Sequence, residues 1–360
     1  MNEERYVYFI DNALQNEVLD SRACIDAIER GYRAWGEQDA AINPKTELHV
    51  YGNNGYYNFG LIHGAVAPMG VAALRIKSDF HTKSGLVSYG DKHAGVEGQF
   101  CGLVLLFNTT NGLPLAILND GHIQHMRVGA VAAVAAKYLA REDSENLCIL
   151  GSGGMARFHA KALCAVRPIK TINVYSPNKE HRESFAEEIG ADLKVEVRVR
   201  ERPEDAVNGC DIVTCCTNAR RQAVFLAAWI EPGMHITTVH GEELDPPAAQ
   251  LINHAVKNQP LHDPQSRFSV AGKPPPGVVP KPQGWDPPAV TDEMPLLSDV
   301  ILGSVPGRTG RGQVTYFSNN EGTGVQFASA GAAILERLSQ RNFNGVPKVP
   351  LAWFVQDIRD

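Results

Sequence analysis

The sequence predicts an α/β protein in which a doubly wound parallel sheet is joined to a second domain of α+β type. Three observations carry this expectation. From Asn146 onward short apolar runs alternate with helical patterns, and residues 147–150, 171–175, 195–197, 212–216 and 235–239 read as strands. Alternation of this kind gives a parallel sheet covered by helices on both faces. The first of these runs opens into Gly151-x-Gly153-x-x-Ala156, with a helical pattern through Ala160, Leu163 and Val166 behind it. Between Glu47 and Phe107 the pattern is instead β-rich without that alternation.

Taken in order, residues 6–10 read as a short strand and 14–35 as a helix with apolar residues at helical spacing. Runs at 70–76 and 102–107 look like strands, and Asn108-Thr-Thr-Asn-Gly112 turns the chain as a hairpin into 113–118. An alanine-rich helix over 126–139 leads into the Rossmann-type segment. Residues 263–292 contain Gly272-Lys-Pro-Pro-Pro-Gly277 and then Pro280, Pro282, Pro287 and Pro288. Proline supplies no sheet donor and cannot continue a helix, so a long loop near a domain boundary is expected there. Beyond it 313–317 reads as a strand and 324–338 as a helix opened by a glycine-rich turn.

The glycine spacing has a chemical reason. Gly151 allows a tight turn out of the strand, and Gly153 lets the backbone approach a pyrophosphate. The small Ala156 lets the helix pack closely on the strand, with its free N–H groups aimed at the phosphates. Gly151, Ser152, Gly153, Gly154, Met155 and Ala156 are therefore the expected dinucleotide-binding turn. The second strand ends in Ser176-Pro-Asn178-Lys179-Glu-His-Arg182, where an NAD site usually has an acidic residue for the ribose 2′-OH. Ser176, Asn178, Lys179 and Arg182 suit a 2′-phosphate, which a carboxylate would repel. NADP(H) is favoured, with NAD(H) as the alternative. Lys179 and Arg182 can also be read as solvated charges on the next helix.

At 360 residues the chain is long enough for two domains. Its 34 basic and 40 acidic residues give a net charge of −6, which argues against a nucleic-acid surface. Neither a signal-type apolar region nor a membrane-length run is present, so a cytoplasmic protein is expected. The seven cysteines show no metal or disulfide spacing, and Cys148, Cys215 and Cys216 read as buried small hydrophobes. No metal is expected.

In several landmarks the chain resembles the ornithine cyclodeaminase/μ-crystallin family. They are Leu74-Arg-Ile-Lys77, Gly112-x-Pro114-Leu-Ala116, Arg127 before an alanine-rich helix, and Gly151-x-Gly153-x-x-Ala156-x-x-His159. Thr217-Asn218, Pro232-Gly233-x-His235, Glu243-Leu-Asp245 and Pro306-Gly-Arg308 follow. The resemblance spans nearly all of the chain apart from the proline-rich segment. It implies a homodimer with a discontinuous substrate and dimerisation domain (1–125 and 318–360) and an inserted Rossmann domain (126–317). It also adds Thr217 and Asn218 to the cofactor site, and implies that Arg127 and Lys77 act on an amino- or imino-acid carboxylate. Lys77 is in addition a candidate proton donor. Without the resemblance, Arg127 would compete with a surface ion pair and Lys77 with a strand-end lysine facing solvent. Lys45 stands where the family commonly has a second carboxylate-binding arginine, and offers a point charge in place of a fork.

The departures bear on the reaction. Ornithine cyclodeaminases carry an aspartate after the strand that here ends Thr237-Thr-Val-His240-Gly241, and this chain passes at once to Glu242 and Glu243-Leu-Asp245. Glu242 is the candidate substitute, one methylene longer; His240 is a further proton-donor candidate or a structural residue. Val128 replaces a common threonine, and Gln326-Phe327 stands where the family has Gln-Asp. The expected order is an NAD(P)-dependent reductase of imino acids, then a cyclodeaminase with bound NAD that releases ammonia, then an NADP-binding protein with little turnover. In every case no nucleic acid or membrane partner is expected, only a small imino- or amino-acid ligand.

Overall fold

The computed structural model describes residues 5–52, 55–82, 92–96, 98–219, 223–240, 243–260, 268–272, 291, 293–320 and 322–356. The chain starts with β1 (Tyr6–Ile10). The helical spacing over 14–35 forms two helices, α1 (Asn12–Val18) and α2 (Ser21–Gly36). Asp11 and Asp20 cap them, each side chain accepting an N–H at 2.8 Å, and the extended Leu19 between them breaks the run. Then come β2 (Ala40–Ile42), β3 (Thr46–Gly52), β4 (Gly55–Val66), β5 (Val71–Thr82), β6 (Lys92–His93), β7 (Cys101–Asn108) and β8 (Pro114–Asn119). The alanine-rich helix, α3 (Asp120–Leu139), starts a turn and a half earlier than the alanine pattern, because Asn119 caps it by accepting from Gly121 N at 2.8 Å.

The alternating part supplies β9 (Asn146–Leu150), α4 (Gly154–Val166), β10 (Thr171–Tyr175), α5 (Lys179–Leu193), β11 (Glu196–Val199) and α6 (Pro203–Val207). It continues with β12 (Ile212–Cys215), β13 (His235–Thr238) and β14 (His254–Lys257). Inside the proline-rich stretch one strand is described, β15 (Phe268–Ala271); residues 273–290 lie outside the described residues. Last come α7 (Leu297–Leu302), β16 (Thr315–Ser318), α8 (Gly324–Ser339) and β17 (Lys348–Pro350).

Two sheets result. The second, in the order β11-β10-β9-β12-β13-β16-β14, is parallel throughout. Its strand order reverses between β9 and β12, the switch point where doubly wound sheets bind ligands. Leu147 and Ile149 enter one apolar core and Cys148 and Leu150 another, as a strand covered on both faces requires. The first sheet is mixed, in the order β15-β3-β4-β5-β7-β8-β1-β17, with β2 on β4 and β6 on β5. The proline-rich stretch thus returns to the first sheet, pairing β15 parallel to β3.

The helix α3 joins the two sheets. Its residues from Ala130 to Ala136 are fully buried, and Gly129 lets α4 approach, since a Cβ there would lie 2.6 Å from the Phe158 carbonyl oxygen. Arg167, just past α4, closes the far end of α3 by donating to the carbonyls of Ala136, Lys137, Ala140 and Arg141 at 2.6 to 3.1 Å. The first sheet has two unlike faces. One carries Arg75, Lys77, Asp79 and His81 on alternate positions of β5. The other carries Leu74, Ile76 and Phe80, flanked in register by Leu61, Leu103 and Leu105, and by Ile117 and Phe9 further along. This outer face is apolar and half-exposed, with Phe9, Leu48, Val50 and Leu103 open to solvent.

Candidate active site

At the candidate dinucleotide turn the backbone has the predicted shape. Gly151 has φ +115, and a Cβ there would collide with the Cys216 carbonyl, so only glycine serves. Gly153 precedes α4 with no side-chain cap, and a Cβ built on it meets nothing within 4 Å. An exposed helix N-terminus with free N–H groups and an empty cradle fits the pyrophosphate of a dinucleotide. Ser152 is buried, and its carbonyl accepts from Arg157 Nη1 at 2.6 Å. Met155 sits at the mouth of α4, and its carbonyl meets His159 Nδ1 at 2.8 Å; Ala156 is fully buried against the sheet.

At the end of β10 the four residues have different surroundings. Ser176 is buried, while Asn178 caps α5 by accepting from His181 N at 3.0 Å. Arg182 is turned inward and donates to the carbonyls of Ser176 at 2.9 Å and Pro177 at 3.4 Å. Lys179 is the exposed cation of the group, 3.7 Å from Glu183. Thr217 N and Oγ1 both donate to Glu243 Oε1 at 2.7 Å, and Asn218 is exposed beside it.

Of the candidate substrate residues, strand register places Lys77 beside Glu47 and so near Lys45. Glu47, Gly60, Lys77 and Gly102 form one row across β3, β4, β5 and β7. Lys77 Nζ lies 3.3 Å from Glu47 Oε1 and 3.4 Å from Asp79 Oδ2, and Lys45 Nζ lies 2.9 Å from Glu47 Oε1. The two lysines therefore share one buried carboxylate. Gly102 makes room for Asp120, whose Oδ2 accepts from Arg75 Nε at 2.9 Å and Nη2 at 2.5 Å.

Arg127 is no surface ion pair. It is buried at 4% exposure, two turns into α3. Its Nη1 donates to Gln326 Oε1 at 2.6 Å and its Nη2 to Gln124 Oε1 at 2.8 Å. Gln326 in turn donates to Tyr32 Oη at 2.7 Å and Asn258 Oδ1 at 3.1 Å. Phe327 lies between two guanidinium groups, with Arg127 Cζ 4.9 Å and Arg75 Cζ 5.8 Å from its ring centre. Burial, and then Arg75, push the Arg127 pKa down to about 9. Among the described residues the hydrogen bonds of this cation go to neutral amide oxygens and a ring packs against it, while the Asp120 carboxylate, bound to Arg75, partly offsets the fall.

The loops after β12 and β13 meet at Glu243. This carboxylate is fully buried and also accepts from Val239 N and His240 N at 2.9 Å. Burial pushes its pKa up, against the hydrogen bonds from His240, Thr217 and Val239. Glu242 lies outside the described residues. Among the described residues no cluster of His, Cys, Asp and Glu suits a metal, and no helix is long and apolar enough to cross a membrane.

Sequence reasoning missed Glu47, Asp79, Asp120 and the role of Glu243. The alternation Arg75-x-Lys77-x-Asp79-x-His81 was the available signal. A polar stripe at period two ordinarily faces water, and here Arg75, Asp79 and His81 are buried and Lys77 half-buried.

Three relatives share part of the sequence or the fold. A Bacillus cereus Delta(1)-pyrroline-2-carboxylate reductase is 33% identical over 155 residues, 43% of this chain and 46% of its own. The Thermococcus litoralis Delta(1)-pyrroline-2-carboxylate reductase, solved with NADH and L-proline, has the same fold at a TM-score of 0.74 and 23% identity, over 93% of this chain and 98% of its own. A lysine cyclodeaminase is as close in fold, with a TM-score of 0.71 and 18% identity over 96% of each chain. The fold therefore does not separate reductases from cyclodeaminases. The model of the ornithine cyclodeaminase/mu-crystallin family matches residues 10–342, and the chain belongs to that family.

Proposed function

We propose that the chain is an NAD(P)-dependent reductase of imino acids, working as a homodimer in the cytoplasm. The observation that carries the proposal is Arg127, a buried guanidinium whose hydrogen bonds to the described residues go to amide oxygens. Among the described residues this buried cation has no hydrogen-bonded carboxylate, which calls for an anion, and a substrate carboxylate supplies one. Arg127 binds that carboxylate; Lys77, held between Glu47 and Asp79, gives a proton to the imine nitrogen; Lys45 steadies Glu47. When bound, the reduced dinucleotide supplies the hydride. Gly153 and the first turn of α4 hold its pyrophosphate, with Ser176 and Lys179 at the adenosine end. That end has no carboxylate among Ser176, Asn178, Lys179 and Arg182, which favours NADPH.

Reduction is preferred to cyclising deamination because of Glu243. Deamination needs a carboxylate free to handle an amino group, and Glu243 is occupied by Thr217, Val239 and His240. The deciding experiment is a pair of assays on the purified protein. Consumption of NADPH or NADH with a cyclic imino acid, and no ammonia from L-ornithine with catalytic NAD, is the expected result. Stoichiometric proline and ammonia from ornithine would overturn it in favour of a cyclodeaminase using Glu242. Silence in both assays with tight dinucleotide binding would leave a binding protein.

A further inference from the structure

His125 stands two residues before Arg127, and its ring fills the gap between α3 and the glycine turn. Its Nδ1 is 2.8 Å from the Gly121 carbonyl oxygen, a group that can only accept. Nδ1 therefore carries the proton. Phe158 of α4 stacks on the ring, 5.5 Å between centres at 25°. The ring is thus fixed from two sides, and Nε2 is directed at Gly154: a Cβ there would lie 2.9 Å from it. Gly154 and Gly153 are exposed, His125 is half-buried, and no described residue hydrogen-bonds Nε2.

In the neutral ring Nε2 is only an acceptor, and the ligand expected at this turn is a diphosphate, which only accepts. The two would repel. A proton on Nε2 turns it into a charged donor beside the anion. We propose that His125 is a further cofactor-binding residue, its protonated ring pairing with the dinucleotide pyrophosphate so that cofactor binding tightens as pH falls. The inference rests on the glycine turn being a dinucleotide site.

The neighbouring titratable groups are His122, one turn back on α3, and His159 and Lys161 on α4, with Lys161 2.7 Å from Asp192. Burial lowers His159 to about 4 and also lowers His122, so both hold a proton less readily than an ordinary histidine. The sign follows from linkage. An anion that prefers the imidazolium draws a proton in as it binds, and affinity drops as pH rises.

The test is calorimetric titration of the whole chain with NADH between about pH 6 and about pH 8.5 at constant ionic strength. NADH is chosen because the 2′-phosphate of NADPH would itself titrate near pH 6. The Kd should rise several-fold across the window, and titrations in two buffers of different ionisation enthalpy should show proton uptake at neutral pH. In His125→Gln and His125→Asn both effects should vanish, while His122→Gln keeps them. A flat wild-type profile without proton uptake overturns the proposal even if neither variant folds, as does a slope that survives in the His125 variants. Absence of NADH binding by the wild type at every pH is a separate failure, that of the dinucleotide reading itself.

Discussion

At the scale of single residues the site separates into two testable halves. A valine at Gly153 would stand where the phosphates belong, yet no protein atom lies within 4 Å of the added Cβ. Gly153→Val should therefore weaken NADH binding by about 100-fold or more while leaving the melting temperature within a few degrees of wild type. Titration and a thermal melt on the same sample check it; unchanged affinity would misplace the phosphate site. Arg127→Ala should do the reverse. Losing the carboxylate partner should cost about 3 kcal/mol, roughly 100-fold in kcat/KM for the imino acid, with NADH affinity unchanged. An unchanged kcat/KM would make Arg127 structural. Gly153 was proposed from a local motif with a chemical reason, and Arg127 from the resemblance to the family. Asp120 and Glu47 were not, because Arg75 and Lys77 lie 45 and 30 positions away and only the fold brings them together.

At the scale of elements, the alternating half of the fold was readable because each strand, turn and helix is written contiguously. The single helix expected over 14–35 failed on one point: Asp20 is a better cap than an interior residue, and a cap starts a new helix. The strand at 268–271 was hidden by its proline-rich surroundings and takes its place only through β3. Arg167 was also invisible as a functional part of α3, since it belongs to the end of the next helix. It gathers the terminal carbonyls of α3, of which Ala136 also accepts from Ala140 N. Arg167→Met should therefore destabilise the protein by about 2 to 4 kcal/mol in urea unfolding, with Arg167→Lys recovering part of the loss. A loss below about 0.5 kcal/mol would show that water replaces the cap.

At the scale of the whole molecule, buried histidines set an acid limit. Burial lowers His159 to about 4 and His235 to about 3, so both are neutral in the fold. Unfolded, each would take up a proton near pH 6.5. Their contribution is fully present above that pH and is lost as the pH falls, by about 1.4 kcal/mol per pH unit for each histidine. Urea unfolding at about pH 7 and about pH 5 should show a loss of up to about 4 kcal/mol; equal stabilities would mean that the rings are hydrated. The outer face of the first sheet has a different consequence. If a second copy covers Phe9, Leu103, Leu105 and Ile117, folding and association become one equilibrium governed by mass action. The melting temperature should then climb with protein concentration, and Leu105→Glu should abolish that dependence by leaving a monomer whose stability no longer responds to dilution.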